Sequence, residues 1–357
     1  MLDVTASTGP LAEAAARLCR LLPARAGVLL RGDRATLRLA ASDGELSAWF
    51  EVPAGVAGAG EVVVARRGLA ETLAGLDAPE VRLAVEGSRL AVRVPGARFA
   101  LPTMGGSAPP PTRVPEPAGE VDGAALRAAA LAVAGAASRE PALPIFTGVR
   151  VRSSGDRLAL LATDRYQLAS ASVPWRAVDA VDTLVPAPVL AEAARQAGRA
   201  ETVVVRADAD LFGLTWPGGG VVSATLGGAY PDVQLDRLLK VRPECVVEAD
   251  ADALAGAVER AARYGGEHGR VTVQVGDGAL VIRASDPLAG EAEETVKAAV
   301  QGDHVTRCYQ ARLVLDALRP FGGHGVVLRI QPDLRATEFT GPAAEELRYL
   351  VVPMRVA

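Results

Sequence analysis

A unit of about 120 residues recurs three times along the chain, and no other feature of the sequence narrows its fold as much. At its centre stands a strand, a short polar turn, and a second strand that finishes on a small residue and an aspartate. In the first third these are residues 28–34 and 36–43, in the second 148–151 and 158–164, and in the last 271–275 and 279–286. Alternating apolar and polar positions around Gly/Asp turns predict β-hairpins with one buried face. A helix-period stretch precedes each hairpin. It carries Leu11, Ala15, Leu18 and Leu22 in the first unit, Leu126, Ala130 and Val133 in the second, and Leu254, Val258 and Ala261 in the third. Ser7 or Thr8, Asp122 and Asp250 stand ahead of these stretches as N-cap residues. A second helix is predicted after each hairpin, over 67–76, 188–197 and 310–318, followed by closing strands such as 81–85 with 90–94, 202–205 and 326–330.

The grammar is therefore helix, strands, helix, strands, three times over: an α+β chain of antiparallel sheets with two helices per unit. Gly105, Gly106 and Ser107 lead into the cluster Pro109, Pro110, Pro111, Pro115 and Pro117, which is too rich in proline for a regular element. A weaker boundary falls near 236–242. The expected domains are 1–113, 114–238 and 239–357. The tail, from Tyr349 to Ala357, is apolar almost to the end, so it is either a last strand or part of a docking surface, since untethered termini fray.

Composition restricts the function classes. Half of the 357 residues are hydrophobic but only 4% are aromatic, so the cores must be built from Ala, Val and Leu. No apolar run approaches the roughly 20 residues of a membrane span, and the start of the chain lacks the pattern of a secretory signal. Cys19, Cys245 and Cys308 are widely spaced and odd in number, which fits buried thiols in a reducing, cytoplasmic compartment. A net charge of −4 argues against a simple basic nucleic-acid binder. Lysine is confined to Lys240 and Lys297, so the cationic charge is arginine. The predicted helices and their ends carry Arg17, Arg20, Arg66, Arg67, Arg127, Arg139, Arg195, Arg199, Arg260, Arg263, Arg312 and Arg319. Helix electrostatics alone places arginine near C-termini, yet the recurrence is also that of a repeated cationic face.

Catalytic patterns are missing. His268, His304 and His324 have no ligand-spaced partner, and neither a phosphate-binding GxxxxGK[ST] loop nor a GxSxG elbow occurs. Gly218, Gly219 and Gly220 follow Trp216 and Pro217 between two predicted strands and read as a hairpin turn. Glu291, Glu293 and Glu294 read as a solvated strand face. Asp43, Asp164 and Asp286 occupy equivalent repeat positions and read as turn caps. No metal or cofactor is implied.

Several segments, in their order and spacing, resemble the bacterial sliding clamp, the β subunit of DNA polymerase III. They are residues 146–151, 162–169, Tyr230 with Pro231 and Asp232, the acidic stretch 290–294, and the tail with Tyr349, Pro353, Met354 and Arg355. The resemblance spans essentially the whole chain. It implies a non-enzymatic processivity factor: three clamp domains forming half of a ring, closed as a head-to-tail homodimer, with helices lining a pore for duplex DNA and sheet outside. Its implied partners are the polymerase III α subunit, the clamp loader and other proteins bearing a clamp-binding motif. Carried over residue by residue, the partner-peptide pocket takes Phe146, Thr163, Leu168, Pro231, Leu238, Val351, Val352, Pro353, Met354 and Arg355. Arg165, Tyr166 and Gln167, also assigned to the pocket, stand where family members vary or carry a basic residue. The helix arginines, with Arg25 from a shortened loop, become DNA-facing residues. Phe99 and Leu101 match one side of the subunit interface, and Arg263 and Tyr264 fall on the other side, where aliphatics are usual. Two other readings stay open: a clamp-like adaptor or antibiotic-resistant paralogue that binds clamp partners without a stable ring, and an unrelated α+β enzyme.

Overall fold

The computed structural model describes residues 1–22, 27–105 and 113–355. Arg25 and most of the proline cluster lie outside the described residues. The helices follow the sequence pattern closely. They are α1 (Thr8–Leu21), α2 (Arg66–Ala74), α3 (Gly123–Ala134), α4 (Ala187–Ala197), α5 (Asp232–Leu238), α6 (Ala251–Ala262) and α7 (Ala311–Leu318). Two of the expected caps form: Asp122 accepts from the Ala125 amide and Asp250 from the Ala253 amide, both at 2.7 Å. Ser7 occupies the N-cap of α1 without a side-chain bond to it. The short helix α5 was not expected; it falls in what reads as a linker.

The chain divides into two compact units that do not follow the repeats: residues Met1–Arg127 with Arg176–Thr225, and Ala128–Trp175 with Leu226–Ala357. Strands of the central repeat are shared between them, because sheets run on from one repeat to the next. In the first unit the strand Gly219–Ala224 pairs with Leu46–Gly58, Gly219 facing Phe50 and Gly220 facing Trp49. A Cβ on Gly220 would lie 2.3 Å from the Trp49 ring, so the join needs glycine there. The sheet path continues through Asp3–Ser7, Glu80–Glu86 and Arg89–Val94 to the edge strand Ala97–Pro102. On the other side it runs through Leu211–Trp216 and Thr202–Ala207 to Pro117–Asp122. Pro117 is thus the first residue of a strand, a position that needs no amide donor. In the second unit Gln167–Pro174 pairs with Leu347–Val351 and so ties the central hairpin to the end of the chain.

Helices bury the apolar stripes that the sequence predicts. Leu11, Leu18, Leu126, Ala130, Val133, Leu254, Val258 and Ala261 are each at most 1% exposed. The helix α1 packs on α2 and α4, and α6 on α7. Cys245 and Cys308 are buried, as expected, but Cys19 is only half-buried, since it faces out beside the stripe of α1.

One arginine departs from the cationic face. Arg66 is 1% exposed, and its Nη2 donates to the Leu22 carbonyl at 2.8 Å. It ties the end of α1 to the start of α2 and cannot face DNA. Arg139 and Arg199 lie beyond the ends of α3 and α4, which stop at Ala134 and Ala197, ahead of Gly135 and Gly198.

Replacing Arg66 with Ala should therefore leave the Leu22 carbonyl unpartnered in a buried site and destabilise by about 2–3 kcal/mol, read as a lower urea midpoint. The same change at exposed Arg67 should leave the midpoint where it is.

Candidate functional site

The turns after the three hairpins share one construction. Asp43 Oδ1 accepts from the amides of Glu45 and Leu46 at 3.1 and 2.8 Å. Asp164 Oδ1 accepts from Tyr166 and Gln167 at 2.9 Å each. Asp286 Oδ1 accepts from Leu288 and Ala289 at 2.9 Å each, and these amides hold its carboxyl below the usual carboxylate range. The three aspartates are structural turn caps.

The central turn carries more. Thr163 Oγ1 donates to the Gln167 carbonyl at 2.6 Å and accepts from the Arg165 amide at 3.1 Å. The buried Gln167 side chain donates to Asp164 Oδ2 at 2.9 Å and accepts from the Tyr349 hydroxyl at 2.9 Å. Tyr349 belongs to the tail strand Leu347–Val351, whose residues Val351 and Leu350 face Gln167 and Leu168. The tail then follows the turn: the Val352 amide donates to the Tyr166 carbonyl at 2.9 Å, and the Met354 amide to the Cys308 carbonyl at 2.7 Å. Arg348 Nη2 donates to the Leu239 carbonyl at 2.6 Å, which fixes the end of α5 beside the same strand.

The result is a surface with a buried floor. Thr163, Gln167 and Leu168 are 2–3% exposed and Val351 is fully buried. All four belong to the expected peptide pocket; in the folded chain they are buried, Gln167 and Val351 on one face of the paired strands and Leu168 on the other. What faces outward is Tyr166 (58% exposed), Leu238 (51%) and Val352 (39%), with Arg165 and Arg355. Phe146, Pro231 and Met354 are half-buried, and Pro353 is buried. Phe146 lies in the turn Pro144–Thr147 that opens the central hairpin. Arg165 sits in the left-handed region at φ 81°, a conformation that costs a residue with a Cβ about 1–2 kcal/mol.

The helix arginines are mostly neutralised. Glu13 takes Arg17 and Arg199, Glu192 takes Arg20 and Arg195, and Arg67 pairs with Glu71. Burial pushes Glu192 up, but hydrogen bonds from Gln196, Arg20 and Arg195 outweigh it and leave the carboxyl below its ordinary range. In the second unit Arg260 makes a bidentate pair with Glu294 at 2.6 and 2.9 Å, and Arg312 and Arg319 flank Asp316. Glu294 thus faces α6, while Glu291 and Glu293 are exposed as a strand face should be. Arg127 and Arg139 are exposed. At the prospective subunit edges, Phe99 is 43% exposed and Leu101 half-buried on the edge strand Ala97–Pro102; Arg263 caps α6 in the open, beside half-buried Tyr264.

Sequence reading missed Gln167 and Tyr349 as a buried pair and Arg165 as a strained residue. A signal existed for the second. Gly44, at φ 102°, holds the place of Arg165 in the first repeat. Among the described residues no three His, Cys, Asp or Glu side chains form a metal-holding group. The histidines stand in exposed loops.

Fold and surface together define a three-repeat α+β protein with an exposed surface built beside its tail strand. Its three repeats match in turn the N-terminal domain of the DNA polymerase III beta subunit over residues 13–108, the central domain over 120–232 and the C-terminal domain over 237–355. The chain belongs to the DNA polymerase III beta subunit family, the sliding clamps, which are processivity factors of DNA replication. It is 29% identical to the beta sliding clamp of Streptomyces coelicolor, across 97% of each chain. It is 25% identical to the beta sliding clamp homolog GriR of Streptomyces muensis, across 94% of this chain and 92% of that one. In fold it is similar to the DNA polymerase III beta subunit of Thermotoga maritima, with a TM-score of 0.89 at 20% identity over both whole chains. No helix among the described residues is long and apolar enough to cross a membrane.

Two buried tyrosines give the folded chain an alkaline limit. Burial raises Tyr309, which shares a 2.6 Å hydrogen bond with Thr337, to about 12, and raises Tyr349 further. Unfolded tyrosines ionise near 10, so the stability that these groups lend is complete below about pH 10 and lost as pH rises through the folded values. Urea midpoints should hold from pH 8 to about 10 and then fall; with Tyr309→Phe and Tyr349→Phe together the fall should be shallower. Tyr349→Phe alone should cost about 1–2 kcal/mol at pH 8, because the buried side-chain amide oxygen of Gln167 is left without its donor.

Proposed function

We propose that this clamp closes as a head-to-tail homodimeric ring around duplex DNA and tethers a replicative polymerase through the surface built on its tail. The observation that carries this reading is the tail itself. It is clamped by backbone bonds to the Tyr166 and Cys308 carbonyls, and it leaves Val352 and Met354 accessible beside Tyr166. An extended peptide with apolar side chains would lie there, with Leu238, Pro231 and Phe146 extending the surface and Met354 adapting its shape. Thr163, Gln167, Leu168 and Val351 form the support, and Pro353 and Arg355 complete the tail. The partners are the polymerase III α subunit, the clamp loader and other proteins with a clamp-binding motif, and the place of action is the cytoplasm, where the DNA is. The domains run 1–113, 114–238 and 239–357.

DNA is held by topology and weak phosphate contacts. Arg17, Arg20, Arg67, Arg127, Arg139, Arg195, Arg199, Arg260, Arg312 and Arg319 face it. Most of these guanidiniums keep a carboxylate partner, so a phosphate can only share or exchange them, and the net attraction stays small. That suits sliding, since each tight phosphate contact would have to be broken before the ring could move on. At the ring joint, Phe99 and Leu101 meet Arg263 and Tyr264, with Arg263 stacked on an aromatic ring across the interface.

Sedimentation over a micromolar-to-nanomolar dilution series should give a particle of twice the 36.8 kDa chain mass. A monomer throughout would rule out the self-sufficient ring. Pro353→Ala with Met354→Ala should weaken binding of a fluorescent polymerase-derived peptide at least about tenfold, a loss of roughly 1.4 kcal/mol, and leave the sedimenting mass unchanged.

A further inference from the structure

The internal repeat supplies a control for the central turn. In the first repeat the turn is Ser42, Asp43, Gly44, Glu45 and Leu46; in the second it is Thr163, Asp164, Arg165, Tyr166 and Gln167. Their backbones agree bond for bond. The Gly44 amide donates to Ser42 Oγ at 3.2 Å as the Arg165 amide does to Thr163 Oγ1 at 3.1 Å. The Asp43 amide donates to the Leu46 carbonyl at 3.1 Å as that of Asp164 does to Gln167 at 3.3 Å. The left-handed residue is glycine in one turn and arginine in the other. The turn therefore needs no arginine, and folding alone would favour glycine.

The side chain that this position carries is exposed, its guanidinium carbon 5.9 Å from the centroid of the exposed Tyr166 ring. Among the described residues it has no carboxylate partner. The helix arginines Arg17, Arg20, Arg67, Arg195, Arg199, Arg260, Arg312 and Arg319 all have one. Asp164, next in sequence, spends both carboxylate oxygens on the turn's own amides and on Gln167. Strained, exposed residues gather where a ligand binds.

Resting on the peptide-binding reading above, we infer that Arg165, stacked on Tyr166, is a specificity determinant that selects partner peptides with an aspartate or glutamate beside their apolar anchors. The apolar side chains lie along Val352 and Met354, and the carboxylate takes the Arg165 guanidinium, which has no carboxylate partner among the described residues. A planar guanidinium held over an aromatic face is already ordered for a bidentate carboxylate contact.

The test uses the full-length protein and pairs of short fluorescent peptides with two apolar anchors. Members of a pair differ only in Glu or Gln, placed at each flanking position in turn. At low salt one Glu peptide should bind roughly fivefold tighter than its Gln twin, a preference lost near 1 M salt. Arg165→Gly keeps the turn, as Gly44 does, and should melt no lower than the parent. It should reduce the affinity for the Glu peptide to that for the Gln peptide, whose own binding stays unchanged. Equal binding of Glu and Gln peptides at every position, or an equal loss of both in Arg165→Gly, would overturn the inference. So would a loss in Arg165→Gly confined to retention on circular duplex DNA, which would make the arginine a phosphate contact. If neither peptide binds the parent, the peptide site itself is wrong and the inference falls with it.

Discussion

Strand pairing between one repeat and the next is the constraint on which the rest of this structure depends. Backbone ladders are obligatory, since each buried amide and carbonyl must find a partner. Gln167–Pro174 finds its second partner in Leu347–Val351, nearly two hundred residues away in sequence. That single ladder brings the end of the chain beside the central turn. Without it, Val352, Met354 and Arg355 would not be held beside Tyr166. The buried Tyr349–Gln167–Asp164 chain of hydrogen bonds reinforces the join with side chains, in an apolar setting where each bond is worth more than in water.

The repeated turn keeps one backbone construction while its side chains differ from copy to copy. Three aspartates do the same structural work in three places, and Gly44 meets the backbone's demand at the lowest cost. At the copy beside the tail, a bulky cationic residue occupies the strained position. The neighbouring position holds an exposed tyrosine, and the next a glutamine wired to the tail strand, where the first repeat has Leu46. This is also the copy whose strand is paired to the tail strand.

Charge on the helices follows a different logic. An acidic chain can hold DNA only if its cations are gathered and their partners leave them accessible. Glu13, Glu192, Glu71, Glu294 and the buried Asp316 set the arginines in place through i,i+3 and i,i+4 pairs and through longer-range contacts, while most of the guanidiniums stay exposed. Exposed pairs of this kind add little stability. Their effect is to moderate the field.

Much of the fold was legible in the sequence because apolar periodicity and turn chemistry are local. The three helix–hairpin units, the caps Asp122 and Asp250 and the three turn aspartates are each decided within a few residues of chain. The apolar tail also announced itself as something that must be packed. Other properties depend on distant neighbours and were decided only by the tertiary structure. Arg66 reads like Arg67 along the helix, yet it is buried because α1 ends above it and offers a carbonyl. Gln167 and Val351 read like surface contacts until the ladder between their strands turns both inward. Asp164, next to Arg165 in sequence, is committed to the turn and to Gln167, and no local pattern records which carboxylates a fold has already used.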